Sequence, residues 1–179
     1  MTIEVRRLRA GEGARLRELR LRSIQDAPQA FGATYEESVA LPLEEWERRA
    51  ARHHLAAVSV LFVAEDGEHW RGLAGGTFPE GSAIPTLFGM WVSPEVRRSG
   101  LGARLVEAVC GWAAEVGVPA IRLEVVDTNS AARDLYRRAG FLETGEVTPL
   151  PRQPDVLEVE MLRDLRARPP RGEPDVSAS

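Results

Sequence analysis

Residues 90–105 read MWVSPEVRRSGLGARL, and they carry a strand through a short loop into a helix. The strand side is Thr86 to Val92 (TLFGMWV), apolar and bounded by turn residues. On the helix side Leu101, Leu105, Val109, Trp112 and Val116 recur at spacings of four, four, three and four, one apolar stripe. Gly117 is placed to end the helix, with Pro119 as a stop two positions later. The loop between them holds Arg97, Gly100 and Gly102. A helix start offers unpaired backbone N–H groups and a partial positive charge. Glycines there let a phosphate approach the backbone, and Arg97 and Arg98 add donors suited to it. Gly89, inside the strand, suits a bulge or a close approach.

Outward from this run the pattern is α/β. Upstream, Ile3, Val5 and Leu8 form a short strand-like opening. An arginine-laden helix follows from about Ala14 to Gln25, with Leu16, Leu19 and Ile24 inward and Arg15, Arg17 and Arg22 outward. Leu43 to Leu55 reads as a second helix, and QAFGATYEESVALP between the two as an irregular connection. Ala57 to Ala64 and Trp70 to Phe78 read as a hairpin about the turn Glu65-Asp66-Gly67-Glu68. Downstream, Ile121 to Val126 is a buried strand. Asn129 caps a short helix whose face carries Ala132, Leu135, Tyr136 and Ala139. Strands near Phe141 to Val147 and Val156 to Leu162 complete the order, which implies three layers around a mixed sheet.

Length and composition narrow the function classes. The 179 residues suit one domain, expected over 1–167, with 168–179 (RPPRGEPDVSAS) as a flexible tail. A single cysteine, Cys110, excludes an intrachain disulfide and a cysteine zinc site, and no metal is implied. The 23 basic residues are all arginine, and the net charge of −4 argues against a nucleic-acid partner. No apolar run approaches ~18 residues and no secretory signal is read, so neither a membrane partner nor export is expected; the expected location is cytoplasmic. The three histidines, His53, His54 and His69, read as surface residues.

The loop alone admits several ligands. A P-loop ends in Gly-Lys-Ser/Thr, and this chain has no lysine. A dinucleotide fingerprint GxGxxG requires glycine where Leu105 stands, although Glu124 lies where a ribose-binding acid could lie. The loop has company, however. Arg97-x-x-Gly100-x-Gly102 resembles the R/Q-x-x-G-x-G/A signature of the GNAT superfamily of N-acetyltransferases. The run LEVVDTNSAARDLYRRAGF (Leu123 to Phe141) resembles that superfamily's second block, with Asn129, Ala132, Leu135, Tyr136, Gly140 and Phe141 in order.

The resemblance implies a GNAT-like fold with a partly splayed sheet, and acetyl transfer from acetyl-CoA to a primary amine of a small molecule or protein by direct attack in a ternary complex. It implies that Arg97, Arg98, Ser99, Gly100, Leu101, Gly102 and Ala103 hold the CoA pyrophosphate. Met90, Trp91 and Val92 would pair with pantetheine, and Asn129 would contact the same arm as well as cap its helix. Tyr136 takes the family's usual acid position, or is a core aromatic. Glu124, twelve residues earlier, is the matching base, or a solvated strand acid. Glu36 and Glu37 are rival bases. Phe31 and Tyr35 join them as acceptor-side candidates, or simply pack the helices. Cys110 reads as a packing residue. Similar proteins are often homodimers. Two further readings stay open: a non-catalytic acyl-CoA-binding module, and a dinucleotide-dependent oxidoreductase.

Overall fold

The computed structural model describes residues 2–55, 57–151 and 153–166. The segment expected to be a tail, 168–179, lies outside them. Seven strands form one sheet: β1 (Glu4–Arg7), β2 (Ser59–Glu65), β3 (Trp70–Thr77), β4 (Thr86–Val92), β5 (Ala120–Val126), β6 (Leu142–Leu150) and β7 (Gln153–Asp164). Their order is β1-β2-β3-β4-β5-β7-β6. Every neighbouring pair is antiparallel except β4 and β5, whose parallel arrangement requires the crossover through the long helix. The helices are α1 (Gly13–Asp26), α2 (Tyr35–Ala40), α3 (Leu43–Leu55), α4 (Leu101–Val116) and α5 (Ser130–Arg138).

Each sheet face has its own core. Leu101, Leu105, Val109 and Trp112 of α4 pack with Ile121, Leu123, Val125, Tyr136 and Phe141 on one face. Leu16, Leu19 and Ile24 of α1 and Trp46 of α3 pack with Leu61, Val63, Leu73 and Trp91 on the other. The apolar stripes therefore do what their spacing predicts, with one exception. Val116, the last residue of α4, is 41% exposed. At Gly117 the backbone turns left-handed (φ +86°), which glycine permits without strain.

The connection read as irregular is not. Pro28–Ala30 forms a 3₁₀ turn, and Tyr35–Ala40 forms α2. A capping box starts α2: Thr34 Oγ1 accepts from the Glu37 N–H, and Glu37 Oε2 accepts from the Thr34 N–H. The sheet is thinnest at β3. A Cβ on Gly75 would lie 2.5 Å from the Phe88 ring, and one on Gly76 would lie 2.5 Å from the Trp112 ring on the opposite face.

Candidate active site

The strands β4 and β5 pair at one position only, Thr86 with Arg122. Had the ladder continued, Phe88 would stand beside Glu124, but the strands part instead. A bulge in β4 marks the parting. Leu73 faces Trp91 and Gly75 faces Phe88, so Ala74 of β3 is opposed by two residues, Gly89 and Met90. Gly89 has φ +63°, the left-handed conformation that a bulge of this kind requires. The β4 edge beyond the bulge thus keeps backbone groups that no β5 partner takes.

That edge leads into the loop before α4. Gly100 is the N-cap residue, with φ +82° and no side chain to cap the helix. The first intrahelical bond runs from the Arg104 N–H to the Gly100 carbonyl at 3.2 Å. The N–H groups of Leu101, Gly102 and Ala103 therefore have no acceptor within the helix. A Cβ at Gly100 would meet no heavy atom within 4 Å, so the approach to these donors is open. This is a donor set that fits a pyrophosphate. Gly102 has a different reason to be glycine: its Cβ would lie 3.1 Å from both Leu135 and Met90, so it lets α4 pack closely. Arg98 is also left-handed (φ +61°), and Arg98 and Ser99 are exposed. The Arg97 side chain does not face the loop's open side. Its Nε donates to the Val92 carbonyl at 2.9 Å and its Nη2 donates to Asp26. Asp26, the last residue of α1, also accepts from Trp91 Nε1 at 2.8 Å, which buries Trp91 against α1 while its backbone stays on the β4 edge.

Asn129 caps α5, its Oδ1 accepting from the Ala132 N–H at 3.1 Å. Tyr136 lies on the inner face of α5, edge-on to Phe141 with ring centroids 5.9 Å apart. Burial pushes its phenol well above the usual tyrosine range, so it stays protonated. Its hydroxyl makes no hydrogen bond to another described residue, and it is not sealed from solvent, since Trp46 Nε1 is the buried polar atom without a partner among the described residues. Glu124 is exposed on the face of β5 opposite Leu123 and Val125, on the α1 side of the sheet. Next to it, across the β5–β7 ladder, lies a carboxylate that sequence reading missed. Glu158 faces Val126 in register, and its carboxyl is raised by burial and by the charge of Glu124. Cys110 packs in the α4 core, and burial pushes its thiol up to about 11.

On the α1 side, Phe31 is buried beneath the Arg20 guanidinium, 4.4 Å from Cζ to the ring centroid. Tyr35 is half-buried against the same core, Glu36 is exposed, and the Glu37 carboxylate serves the capping box of α2. The turn Pro28–Ala30 reaches β5. His53 is not a surface residue. It is half-buried, its Nδ1 shares a 2.8 Å hydrogen bond with Ser59 Oγ, and its ring lies 6.1 Å from that of Phe88. Burial, and then Arg52, Arg20 and Arg49, push its pKa down to about 4. The unfolded chain holds that proton more tightly, with a pKa of about 6.5. The stability given by neutral His53 is therefore complete above about pH 6.5 and is lost as pH falls through about 4. Urea melts at stepped pH are expected to show a shallower loss of stability across this window in His53→Gln than in wild type. Equal slopes would place the histidine in water.

Among the described residues no group of three or more potential metal ligands gathers, and no helix is long and apolar enough to cross a membrane.

Comparison with known proteins agrees with this geometry. The family described as Acetyltransferase (GNAT) family matches residues 20–141. A thialysine N-epsilon-acetyltransferase of Bos taurus is 37% identical over 57 residues, a stretch covering 32% of this chain and 34% of that protein, so about a third of that relative's length is matched. A GNAT-family acetyltransferase from Streptococcus pneumoniae has the same fold, with a TM-score of 0.78 over 91% of this chain and 99% of that one at 20% identity. A Salmonella typhimurium acetyltransferase solved with acetyl-CoA superposes with a TM-score of 0.76 over 98% of this chain and 99% of that one at 16% identity. With a family match across most of its length and a sheet that parts beside an uncapped helix start, the chain belongs to the GNAT acetyltransferase family.

Proposed function

We propose that the protein is an N-acetyltransferase, moving acetyl from acetyl-CoA to a primary amine of a small molecule or peptide within a ternary complex. One observation carries this reading: β4 and β5 part immediately before a helix start whose amides are unclaimed. The bovine relative's name points the same way, since it specifies transfer to an ε-nitrogen.

Acetyl-CoA, when bound, supplies a thioester whose acyl carbon the amine attacks. The N–H groups of Leu101, Gly102 and Ala103 bind the pyrophosphate, with Arg98 and Ser99 at the loop's exposed side. The β4 edge from Met90 to Val92 would line the pantetheine arm, and Asn129, at the head of α5, would contact it. Glu124 takes the ammonium proton so that the nitrogen lone pair becomes available. Tyr136 holds a proton at its hydroxyl for the departing sulfur, and its burial keeps that proton in place at neutral pH.

The test is an acceptor screen that follows thiol release from acetyl-CoA. Steady CoA release with at least one amine is expected. Tight acetyl-CoA binding without turnover of any amine would leave an acyl-CoA-binding module instead. Tyr136→Phe removes the hydroxyl alone and keeps the contact with Phe141. We expect kcat to fall at least ~10-fold, with little change in acetyl-CoA affinity or melting temperature. Wild-type turnover in this variant, under conditions where chemistry limits the rate, would make Tyr136 a core aromatic only.

A further inference from the structure

Arg20 stands out among the arginines of α1. Arg15 reaches Glu65, Arg17 reaches the Val39 carbonyl, and Arg22 reaches the Trp70 carbonyl and Ser93. Arg20 has no carboxylate within ion-pair distance and no hydrogen-bond acceptor among the described residues. Its guanidinium lies over Phe31, with Cζ 4.4 Å from the ring centroid, and its Nη1 comes within 3.3 Å of where a Cβ on Gly89 would stand. The group thus stands beside the β4 bulge. Burial, with Arg49 behind it, lowers its pKa to about 10. A half-buried guanidinium with no anion beside it, and with a second cation nearby, is left without charge compensation. Such an arrangement is relieved by an incoming anion, and five N–H donors in a planar fork suit a carboxylate.

The opposite wall of the gap has the other sign. Arg122 is engaged by Glu160 at 3.6 Å and donates to Thr86 Oγ1 at 3.1 Å. That leaves Glu124 and Glu158 together with no basic partner among the described residues. Glu124 and Arg20 lie on the same face of the sheet. Glu124 stands two residues beyond Arg122, the last β5 residue paired with β4, and Gly89 three residues beyond its partner Thr86, so both lie where the strands have parted. A cationic group on the β4 side and an acidic pair on the β5–β7 side therefore flank the place where the strands part.

We propose that the acceptor is a small amine that also carries a carboxylate, an amino-acid-like zwitterion, with its carboxylate on Arg20 and its amine toward Glu124. This rests on the acetyl-transfer reading and names the class of its second substrate. Arg20 is then the residue that selects the acceptor, and Phe31 is the platform that holds its guanidinium in place.

The experiment compares free α-amino acids, β-alanine and γ-aminobutyrate with their carboxamides as acceptors, by CoA release. In the wild type, kcat/KM is expected to be at least ~10-fold higher for the acid than for the amide of the preferred pair. Arg20→Met, close in length and uncharged, should lose ~10–100-fold in kcat/KM on the acids, mostly through KM, and little on the amides. Arg20→Lys should recover part of the loss. Acetyl-CoA affinity by calorimetry should be unchanged in both variants, which also shows that they fold. Equal use of acids and amides by the wild type, or an equal loss on both in Arg20→Met, overturns the proposal. If no pair turns over, thermal protection by the same carboxylates in the presence of CoA is measured. Protection lost in Arg20→Met supports the site, and no protection of the wild type overturns it. Failure to bind acetyl-CoA at all falls on the acetyl-transfer reading, not on Arg20.

Discussion

Glu124→Gln is expected to lower kcat by ~10²–10⁴-fold and to remove the rise of kcat/KM on the acid side of the pH profile. A base must be ionised to accept a proton, so activity climbs with pH through its pKa; glutamine has no such step. The variant should bind acetyl-CoA normally, because Glu124 is on β5 across the gap from the β4 edge and the α4 start. Steady-state rates across pH, with calorimetry on the same preparation, check both halves. The residual rate carries information too. Glu158 is held up partly by the charge of Glu124, so its carboxyl should drop toward the ordinary range in the variant and become a candidate substitute base. An unchanged pH profile would move the role to Glu158, Glu36, Glu37 or an ordered water.

Gly100→Val should weaken CoA binding by at least ~100-fold while the domain stays folded. The reason is conformational, since a Cβ at this position would meet nothing within 4 Å. Gly100 sits at φ +82°, which a β-branched residue avoids at a cost of roughly 1–2 kcal/mol or more. Relieving that cost turns the loop and re-aims the amides of Leu101, Gly102 and Ala103. The strain is small beside the stability of a domain, so the melting transition should remain cooperative. Calorimetry on a folded variant that still binds CoA at the wild-type affinity would remove the phosphate role from this loop.

Much of this architecture was legible before any coordinates. The α4 stripe from Leu101 to Trp112, the cap at Asn129 and the breaks at Gly117 and Gly140 depend on local spacing, and they stand where spacing puts them. Gly89 flagged the bulge for the same reason. The helix α2 was also within reach: Thr34-Tyr-Glu-Glu37 is a capping box, obscured by the glycine and alanine before it. What sequence could not supply is register and reach. Glu158 matters because β7 brings it beside Glu124, from thirty-four positions away. Arg20 matters because α1 crosses above the bulge and leaves that one guanidinium over Phe31. The place of Arg97 in the loop suggests a phosphate donor; its side chain donates to Val92 and to Asp26, a partner seventy-one residues away that no local pattern announces.

The two glycines at the centre of β3 bear on how this sequence can drift. Gly75 and Gly76 leave the sheet one backbone thick where two large rings, Phe88 and Trp112, press on it from opposite faces. Even alanine at either position would put a methyl group 2.5 Å from ring carbon, inside any tolerable contact. Trp112, fully packed in its core, could yield only by opening a gap there, while Phe88 is part-buried at the margin of its own. Acceptance of a substitution there depends on a prior shrinking of the ring, and shrinking a ring first leaves a void that glycine cannot fill. Each single step is destabilising, so Gly75 is tied to Phe88 and Leu61, and Gly76 to Trp112 and Val109.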